Sequence, residues 1–196
     1  MTNEWIEASA PGRLDVMGGV ADYSGSLVLQ KPLRQQTHVQ LRLRQDDMCT
    51  IESTTSNGPK LFAEFNYRNI LKNGKVDLNF ARNYFQRTEI HWAAYEMGCI
   101  LIVEREHNIA FRGADIKISS DVPLGKGVSS SAPLEVATMK AVAKAYDLTL
   151  DGTTLPRLAQ KAENLIVGAP CGLMDQLASY FGNHHQLLPI LCQPDI

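Results

Sequence analysis

The sequence predicts an α+β fold, in which a mixed or antiparallel β-sheet forms one layer and helices form a second layer against it. The first part of the chain contains short segments in which apolar and polar residues alternate, as in strands with one buried face. The later part is dominated by segments with apolar residues at helical spacing. Strands followed by helices are typical of α+β layers rather than of strict βαβ alternation. With 196 residues, 44% of them hydrophobic, the chain can bury a substantial core.

The strand-like segments are "SLVLQKPL", "THVQLRLRQ" and "GADIKISSDVP", and the first two are predicted as separate short strands. In "THVQLRLRQ", Leu41 and Leu43 alternate with Arg42 and Arg44, so the arginines are expected on the solvent side of a strand. Pro123 is expected to end the third strand, because proline cannot continue the hydrogen-bond ladder.

Apolar spacing predicts helices over Ala93–Val103 and Ala132–Tyr146, and a further helix through "LMDQLASYF". Between the last two, a helix ending at Gly168 is expected to bury four apolar residues, namely Leu158, Ala162, Leu165 and Ile166. Segment Asn66–Arg87 has no pattern that assigns it to a helix or a strand.

Composition excludes several classes of function. A net charge of −2 provides no basic face for nucleic acid. The four cysteines form no C-x-x-C pair, so neither a zinc ribbon nor a disulfide framework is indicated. The amino terminus lacks a secretory signal, and no apolar run reaches membrane-spanning length. A cytoplasmic protein without a nucleic-acid or membrane partner is therefore expected.

The stretch "PLGKGVSSSAPLE" has the composition of a phosphate-binding loop that leads into a helix. Gly125 and Gly127 allow close backbone approach, and the N–H groups that open the helix can point at an anion. The hydroxyl groups of Ser129–Ser131 can donate to phosphate oxygens, and Lys126 supplies a nearby cation. The stretch matches neither the Walker loop nor the dinucleotide fingerprint. A serine-capped helix start after a tight turn is the alternative, and this stretch alone does not separate the two.

Two further stretches favour phosphoryl transfer. "APGRLDVMGGVADYSGS" contributes Arg13, Asp15 and Asp22, and "GAPCGLMDQ" places Asp175 at the head of a helix. An arginine and a carboxylate beside a phosphate loop can neutralise charge on the phosphoryl group and accept the proton of an attacking hydroxyl. Taken one at a time, the same residues can instead be a surface arginine and an N-terminal helix acid.

Together and in this order, the three stretches resemble the GHMP kinases, and the galactokinase branch fits best. The first signature of that branch reads approximately G-R-x-N-L-I-G-E-H-x-D-Y-x-G, against "GRLDVMGGVADYSG" in this chain. Its phosphate loop reads P-x-G-x-G-L-S-S-S-A-S-L-E, and its P-C-G-I-M-D-Q block appears here as "PCGLMDQ". The first stretch as a whole also resembles the arabinokinase version of the signature.

The resemblance implies a two-layer GHMP amino-terminal domain over residues 1–196, with ATP and Mg²⁺ as cofactors and a small sugar as substrate. Asp175 is implied as the catalytic base or hydroxyl-orienting carboxylate, with Arg13 as its cationic partner. Ser131 and Glu163 are implied as Mg²⁺ ligands. The residues implied to cradle the phosphates are Gly125, Gly127, Ser129 and Ser130.

The resemblance also implies where the two substrates lie. Trp92 and Tyr95 match an aromatic pair beside the adenine, although packing in a helix core is the alternative for them. Asp22 and the backbone of Gly172 are similar to groups that bind sugar hydroxyls, and Arg13 and Asp175 border the same sugar site.

The main departures from the family pattern lie at positions that the resemblance places beside the sugar. Galactokinases have Glu-His where this chain has Gly19 and Val20, and in the family those residues hold the hydroxymethyl end of galactose. Neither side chain here can donate or accept a hydrogen bond, so the site suits a sugar without that group. The expected reaction is therefore phosphorylation of the anomeric hydroxyl, with L-arabinose preferred over galactose. Asp15 replaces the usual asparagine and is expected to hold the loop.

Family members continue into a second domain that closes the cleft, and this domain is expected to be absent from residues 1–196. Catalysis needs water excluded and both substrates positioned, so these residues alone are expected to turn over poorly. The alternatives are a sugar and nucleotide sensor without turnover, or a fragment that another chain completes. The face left by the second domain is expected to be a site of self-association.

Overall fold

The computed structural model describes residues 4–56 and 58–192, and the side chain of Val20 lies outside the described part. The described residues form one six-stranded sheet, with the order β1-β2-β5-β3-β4 and with β6 paired to β2. The strands are β1 Ile6–Met17, β2 Leu27–Arg44, β3 Met48–Thr55, β4 Leu61–Asn66, β5 Gly113–Ser120 and β6 Leu188–Leu191.

Five α-helices follow or separate these strands in the described part of the chain. They are α1 Leu78–Gln86, α2 Ala94–His107, α3 Ser131–Ala145, α4 Thr154–Ala162 and α5 Met174–Phe181. A 3-10 helix spans Gly19–Tyr23, and a π-helical turn spans Glu163–Val167 at the end of α4. None of the helices in residues 4–56 and 58–192 is both long and apolar enough to cross a membrane.

The sheet is mixed, as the sequence predicts, and one of its faces is covered by helices. β3 and β5 run parallel, whereas the other pairs are antiparallel. Leu41 is fully buried on the helical side, and Arg42 on the opposite side forms an ion pair with Asp115 of the neighbouring strand. Helix α3 packs against β1 and β2 of the sheet, and α2 packs against α3 and α4, so both helices are buried on most of their surface.

The stretch that begins "APGRLDVM" forms most of β1, a strand that the sequence pattern does not predict. β2 is one continuous strand, so the prediction of two separate strands is wrong. The pairing of the two strands shifts between Pro11 and Arg13, and β2 resumes at Pro32 after three unpaired residues. This irregularity places Pro32 in a strand without breaking the sheet, because a bulge needs no regular ladder hydrogen bond there.

Two helical predictions also change. Leu158, Ala162 and Ile166 are buried as predicted, but Leu165 is 43% exposed. The π-helical turn that begins at Glu163 has more residues per turn than an α-helix and therefore moves Leu165 off the buried face. The unassigned segment forms α1, whose first turn is capped by Asp77 Oδ1 accepting from the Phe80 N–H at 2.9 Å.

Candidate active site

Arg13 and Asp175 form a two-point ion pair between β1 and the first turn of α5. Arg13 Nε donates to Asp175 Oδ1 and Nη2 donates to Oδ2, both at 2.8 Å. The side chain of Arg13 is 11% exposed and that of Asp175 is 26% exposed. A planar guanidinium that binds both oxygens fixes the carboxylate in one orientation.

The same arginine also holds the predicted phosphate loop. Arg13 Nη1 donates to the carbonyl oxygen of Gly127 at 2.7 Å. The backbone N–H of Arg13 donates to the carbonyl oxygen of Val128 at 3.1 Å. The three predicted stretches therefore meet at one side chain, although Gly127 lies 114 residues and Asp175 lies 162 residues from Arg13 in the sequence.

The conformation of the phosphate loop fits an anion. Gly125 and Gly127 have φ angles of 66° and 71°, and no atom lies within 4 Å of a Cβ built on either. Ser129 also has a positive φ, of 54°, and its hydroxyl is buried with no partner among the described residues. A buried unpaired hydroxyl is costly unless a ligand completes it. ATP phosphate oxygens, accepting from Ser129 and from the N–H groups that open α3, fit this donor set.

The remaining members of the loop lie where α3 begins. Ser130 occupies the position before α3 and makes no side-chain capping bond, so the alternative of a serine-capped helix lacks its defining contact. Ser131 is the first residue of the helix and is half-buried, while Lys126 projects from the exposed tip of the loop.

A buried group of acids lies behind the loop. Glu163, in the π-helical turn, is 7% exposed, and Glu135 and Glu96 are almost fully buried. Gln176 Nε2 donates to Glu163 Oε2 at 2.8 Å and to Glu135 Oε2 at 3.2 Å. Burial raises the pKa of Glu96 to about 8, and burial together with the neighbouring Glu163 raises the pKa of Glu135 well above its usual value.

Among the described residues, no group of three or more His, Cys, Asp or Glu side chains is arranged to hold a metal ion. Mg²⁺ in kinases does not require such a group, because one or two protein ligands are completed by phosphate oxygens and water. One carboxylate and one hydroxyl, from Glu163 and Ser131, are hard oxygen donors of the type that Mg²⁺ prefers.

Side chains of the preceding helical segment hold the loop from Gly168 to Gly172 in place. Asn164 Oδ1 accepts from the N–H of Cys171 at 2.8 Å, and Gln160 Nε2 donates to the carbonyl oxygen of Cys171 at 3.0 Å. Cys171 Sγ donates to Glu163 Oε2 at 3.3 Å. Burial, with Glu163 close by, raises the pKa of this thiol, so it acts as a neutral donor.

Asp22 and Gly172 touch each other on the predicted sugar side. Asp22 Oδ1 is buried with no partner in the described part of the chain. Its pKa is raised by burial and then by the nearby Asp175. The N–H of Gly172 donates to the Tyr23 hydroxyl at 3.1 Å, so the expectation that this backbone meets a sugar requires Tyr23 to move or its carbonyl to serve instead.

Gly19 lies in open space at the start of the 3-10 helix, with a φ of 53° and no atom within 4 Å of a built Cβ. Asp15 Oδ2 accepts from the Gly19 N–H at 2.6 Å, and Asp15 Oδ1 accepts from Gln30 Nε2 at 2.8 Å. Asp15 therefore holds the loop. The side chain of Val20 lies outside the described part of the structure.

The aromatic pair lies where a 3-10 turn, His91–Ala93, leads into α2. Trp92 is half-buried and packs against the main core. Tyr95 is also half-buried, and burial, with Glu163 next in effect, raises its pKa to about 12. Tyr23, Cys171 and Gln176 are not among the predicted site residues, although each directly neighbours a predicted residue in one of the three stretches.

The fold is similar to that of GHMP kinases of known structure. This chain matches the family described as "GHMP kinases N terminal domain" over residues 93–183. It is 41% identical to the L-arabinokinase of Arabidopsis thaliana over 97% of this chain and 21% of that protein.

Solved structures extend the likeness. The galactokinase of Lactococcus lactis, complexed with galactose, is 26% identical, with a TM-score of 0.77 over 97% of this chain and 45% of that one. The mevalonate kinase of Methanococcus jannaschii, at 21% identity and a TM-score of 0.71 over 97% of this chain and 54% of that one, shares the fold. The chain thus spans about a fifth of the arabinokinase, 21%, and about half of the kinases of known structure, 45% and 54%.

Proposed function

We propose that this chain is the phosphate-loop domain of an ATP-dependent sugar kinase that phosphorylates the anomeric hydroxyl of a galactose-configured monosaccharide. The observation that carries the proposal is the position of Arg13, which binds both oxygens of Asp175 and the Gly127 carbonyl. A carboxylate held rigidly beside a phosphate loop is the arrangement that transfer to a hydroxyl requires.

In the proposed reaction, the sugar hydroxyl binds to the free lone pairs of Asp175, which orient its oxygen toward the terminal phosphorus of ATP. The oxygen–phosphorus bond forms as the bond to the bridging oxygen of ADP breaks, and the hydroxyl proton passes to Asp175. The guanidinium of Arg13 offsets negative charge at this point. Mg²⁺, held by Ser131 and Glu163 together with phosphate oxygens, would supply charge neutralisation on the phosphates.

We propose L-arabinose as the preferred sugar over galactose. Gly19 supplies no side-chain donor or acceptor, and the space around it is open. A hydroxymethyl group directed there would lose the partners that it has in water, whereas L-arabinopyranose has no such group. The 41% identity to an L-arabinokinase supports the same choice.

We further propose that the active site is completed by protein outside residues 1–196. One face of the sheet near the site carries apolar side chains about half exposed, which are Leu14, Met17, Leu27 and Leu191. Exposed apolar residues grouped in this way mark a surface that is covered in the working protein. If no further domain covers this apolar face, a second copy of the chain would cover it.

The experiment that tests the proposed function is ATP consumption by the intact protein across a panel of monosaccharides. The expected result is turnover with a higher kcat/KM for L-arabinose than for galactose. Equal values for the two sugars would contradict the proposed preference, and nucleotide binding without turnover on any sugar would favour a sensor over a kinase.

A further inference from the structure

The side chain of Gln176 lies between two buried carboxylates. It is fully buried, as is Glu135, and its single amide nitrogen donates to Glu163 Oε2 at 2.8 Å and to Glu135 Oε2 at 3.2 Å. An amide nitrogen has two N–H groups, so it can serve both acceptors at once.

The hydrogen bonds from Gln176 and Cys171 to the Glu163 carboxylate go to the same oxygen. Gln176 Nε2 and Cys171 Sγ both donate to Oε2, at 2.8 Å and 3.3 Å, and neither donates to Oε1. Such contacts fix the rotation of the carboxylate and leave its other oxygen for a partner outside the protein.

Gln176 directly follows Asp175 in the first turn of α5. Consecutive helical residues point about 100° apart, so one turn directs Asp175 to Arg13 and Gln176 to Glu163. The orientation of the helix therefore sets both carboxylates together.

We propose that Gln176 is a positioning residue that orients Glu163 toward the metal–nucleotide complex. This inference rests on the proposed kinase function. Gln176 does not contact either substrate and acts through the Glu163 carboxylate. An apolar side chain at position 176 would remove the N–H groups that hold the Glu163 and Glu135 carboxyl groups in place.

The test measures binding of Mn²⁺, as a spectroscopic probe, by electron paramagnetic resonance in the intact protein with a non-hydrolysable ATP analogue. The variant Gln176→Met keeps the length of the side chain and removes its donors. We expect its Mn²⁺ affinity to fall by about 10- to 100-fold, as for other partners of metal ligands. Metal-free affinity for the analogue is expected to stay within about twofold, because the phosphate loop is unchanged.

A double-mutant cycle separates positioning from general damage. In a Glu163→Gln background, adding Gln176→Met should weaken Mn²⁺ binding no further, whereas independent structural damage would add to the loss. Gln40→Leu removes an amide contact to Glu7 on the outer face of the sheet and is the matched control, with unchanged Mn²⁺ affinity expected.

If Gln176→Met does not fold, Gln176→Leu, which also lacks donors, takes its place with the same expectation. Unchanged Mn²⁺ affinity in a folded variant, or additive losses in the cycle, would overturn the positioning role alone. Absence of metal–nucleotide binding by the unaltered protein would instead overturn the proposed function.

Discussion

A Cβ atom on Gly172 would lie 2.1 Å from Oδ2 of Asp22, so the two residues can keep their contact only while position 172 is glycine. We expect Gly172→Ala to displace the Asp22 carboxylate, because no Cβ is tolerated at that distance. The KM for the sugar should rise about tenfold or more, since misplaced positioning groups are costly. The KM for ATP should change little. Steady-state kinetics with each substrate varied in turn measures both.

Asp22→Ala provides the control for this prediction. In that background Gly172→Ala has no carboxylate to displace, and it should add little to the loss. A full additional loss would show that the alanine acts on the backbone of the loop rather than on Asp22.

The role proposed for Asp175 predicts that Asp175→Asn lowers kcat by about 10²- to 10⁴-fold, the usual contribution of a general base. Nucleotide affinity, measured by calorimetry, should remain within a few-fold because the phosphate loop keeps its own contacts. Asp151→Asn, at an exposed aspartate, is the matched control. Normal turnover by the Asp175→Asn variant would remove Asp175 from the mechanism.

Arg13→Lys tests the link between the ion pair and the phosphate loop. An ammonium group cannot make the two parallel bonds to Asp175 and still reach the Gly127 carbonyl, so both contacts are expected to loosen. We expect a lower kcat together with a higher KM for ATP, whereas an arginine that served only Asp175 would change kcat alone. Arg34→Lys, at an exposed position, should change neither.

Glu96 predicts a pH dependence of stability. Its folded-state pKa of about 8 exceeds the ordinary value, so the folded protein binds more protons than the unfolded chain between pH about 4.5 and about 8. The free energy of unfolding should therefore fall as pH rises through this window, with a contribution of up to about 1.4 kcal/mol per pH unit. Urea unfolding at several pH values measures it.

Glu96→Gln should make that slope less steep, because the amide does not titrate, whereas Glu135, whose pKa is also raised, keeps its own contribution. The exposed Glu89→Gln serves as control and should leave the slope unchanged. The same slope in the unaltered protein and in the Glu96→Gln variant would contradict the assignment.

The apolar face of β1, β2 and β6 predicts self-association of residues 1–196 when they are produced alone. Leu27 is 57% exposed at the centre of this face, and Leu27→Asn should shift the protein toward a monomer in analytical ultracentrifugation. Phe62→Asn, at a residue 60% exposed elsewhere on the sheet, should not. A monomer at all concentrations before any substitution would argue against association.

Local sequence patterns predict the helical layer and the outward-facing arginines well, because burial on one face directly imposes alternation or helical spacing. They do not reveal that β2 is continuous. The strand is held together by its pairing with β1, which includes a bulge opposite Gly12, and this pairing joins residues that are distant in sequence. Leu165 illustrates a second limit. Helical periodicity assumes a constant number of residues per turn, and the π-helical turn alters it.

Motif order predicts the residues of the candidate site better than their surroundings. The positions of Arg13 and Asp175 follow from two signatures, but their contact depends on β1 and α5 packing together. The pairing of Gln176 with Glu163 and Glu135 also follows from tertiary packing, because its partners come from two other helical segments. No local pattern distinguishes such a glutamine from one on a surface.

The π-helical turn at Glu163–Val167 makes this part of the chain unusually sensitive to its length. Deleting one residue there would allow α4 to continue as a regular helix, and Gly168 would leave the left-handed conformation that now redirects the backbone toward Cys171. Related sequences should therefore vary in length at the exposed turn around Gly152, where a built Cβ meets no other atom, and preserve the spacing between Glu163 and Asp175. In this protein, the number of residues between those two acids is therefore expected to matter for the candidate site as much as their carboxylates do.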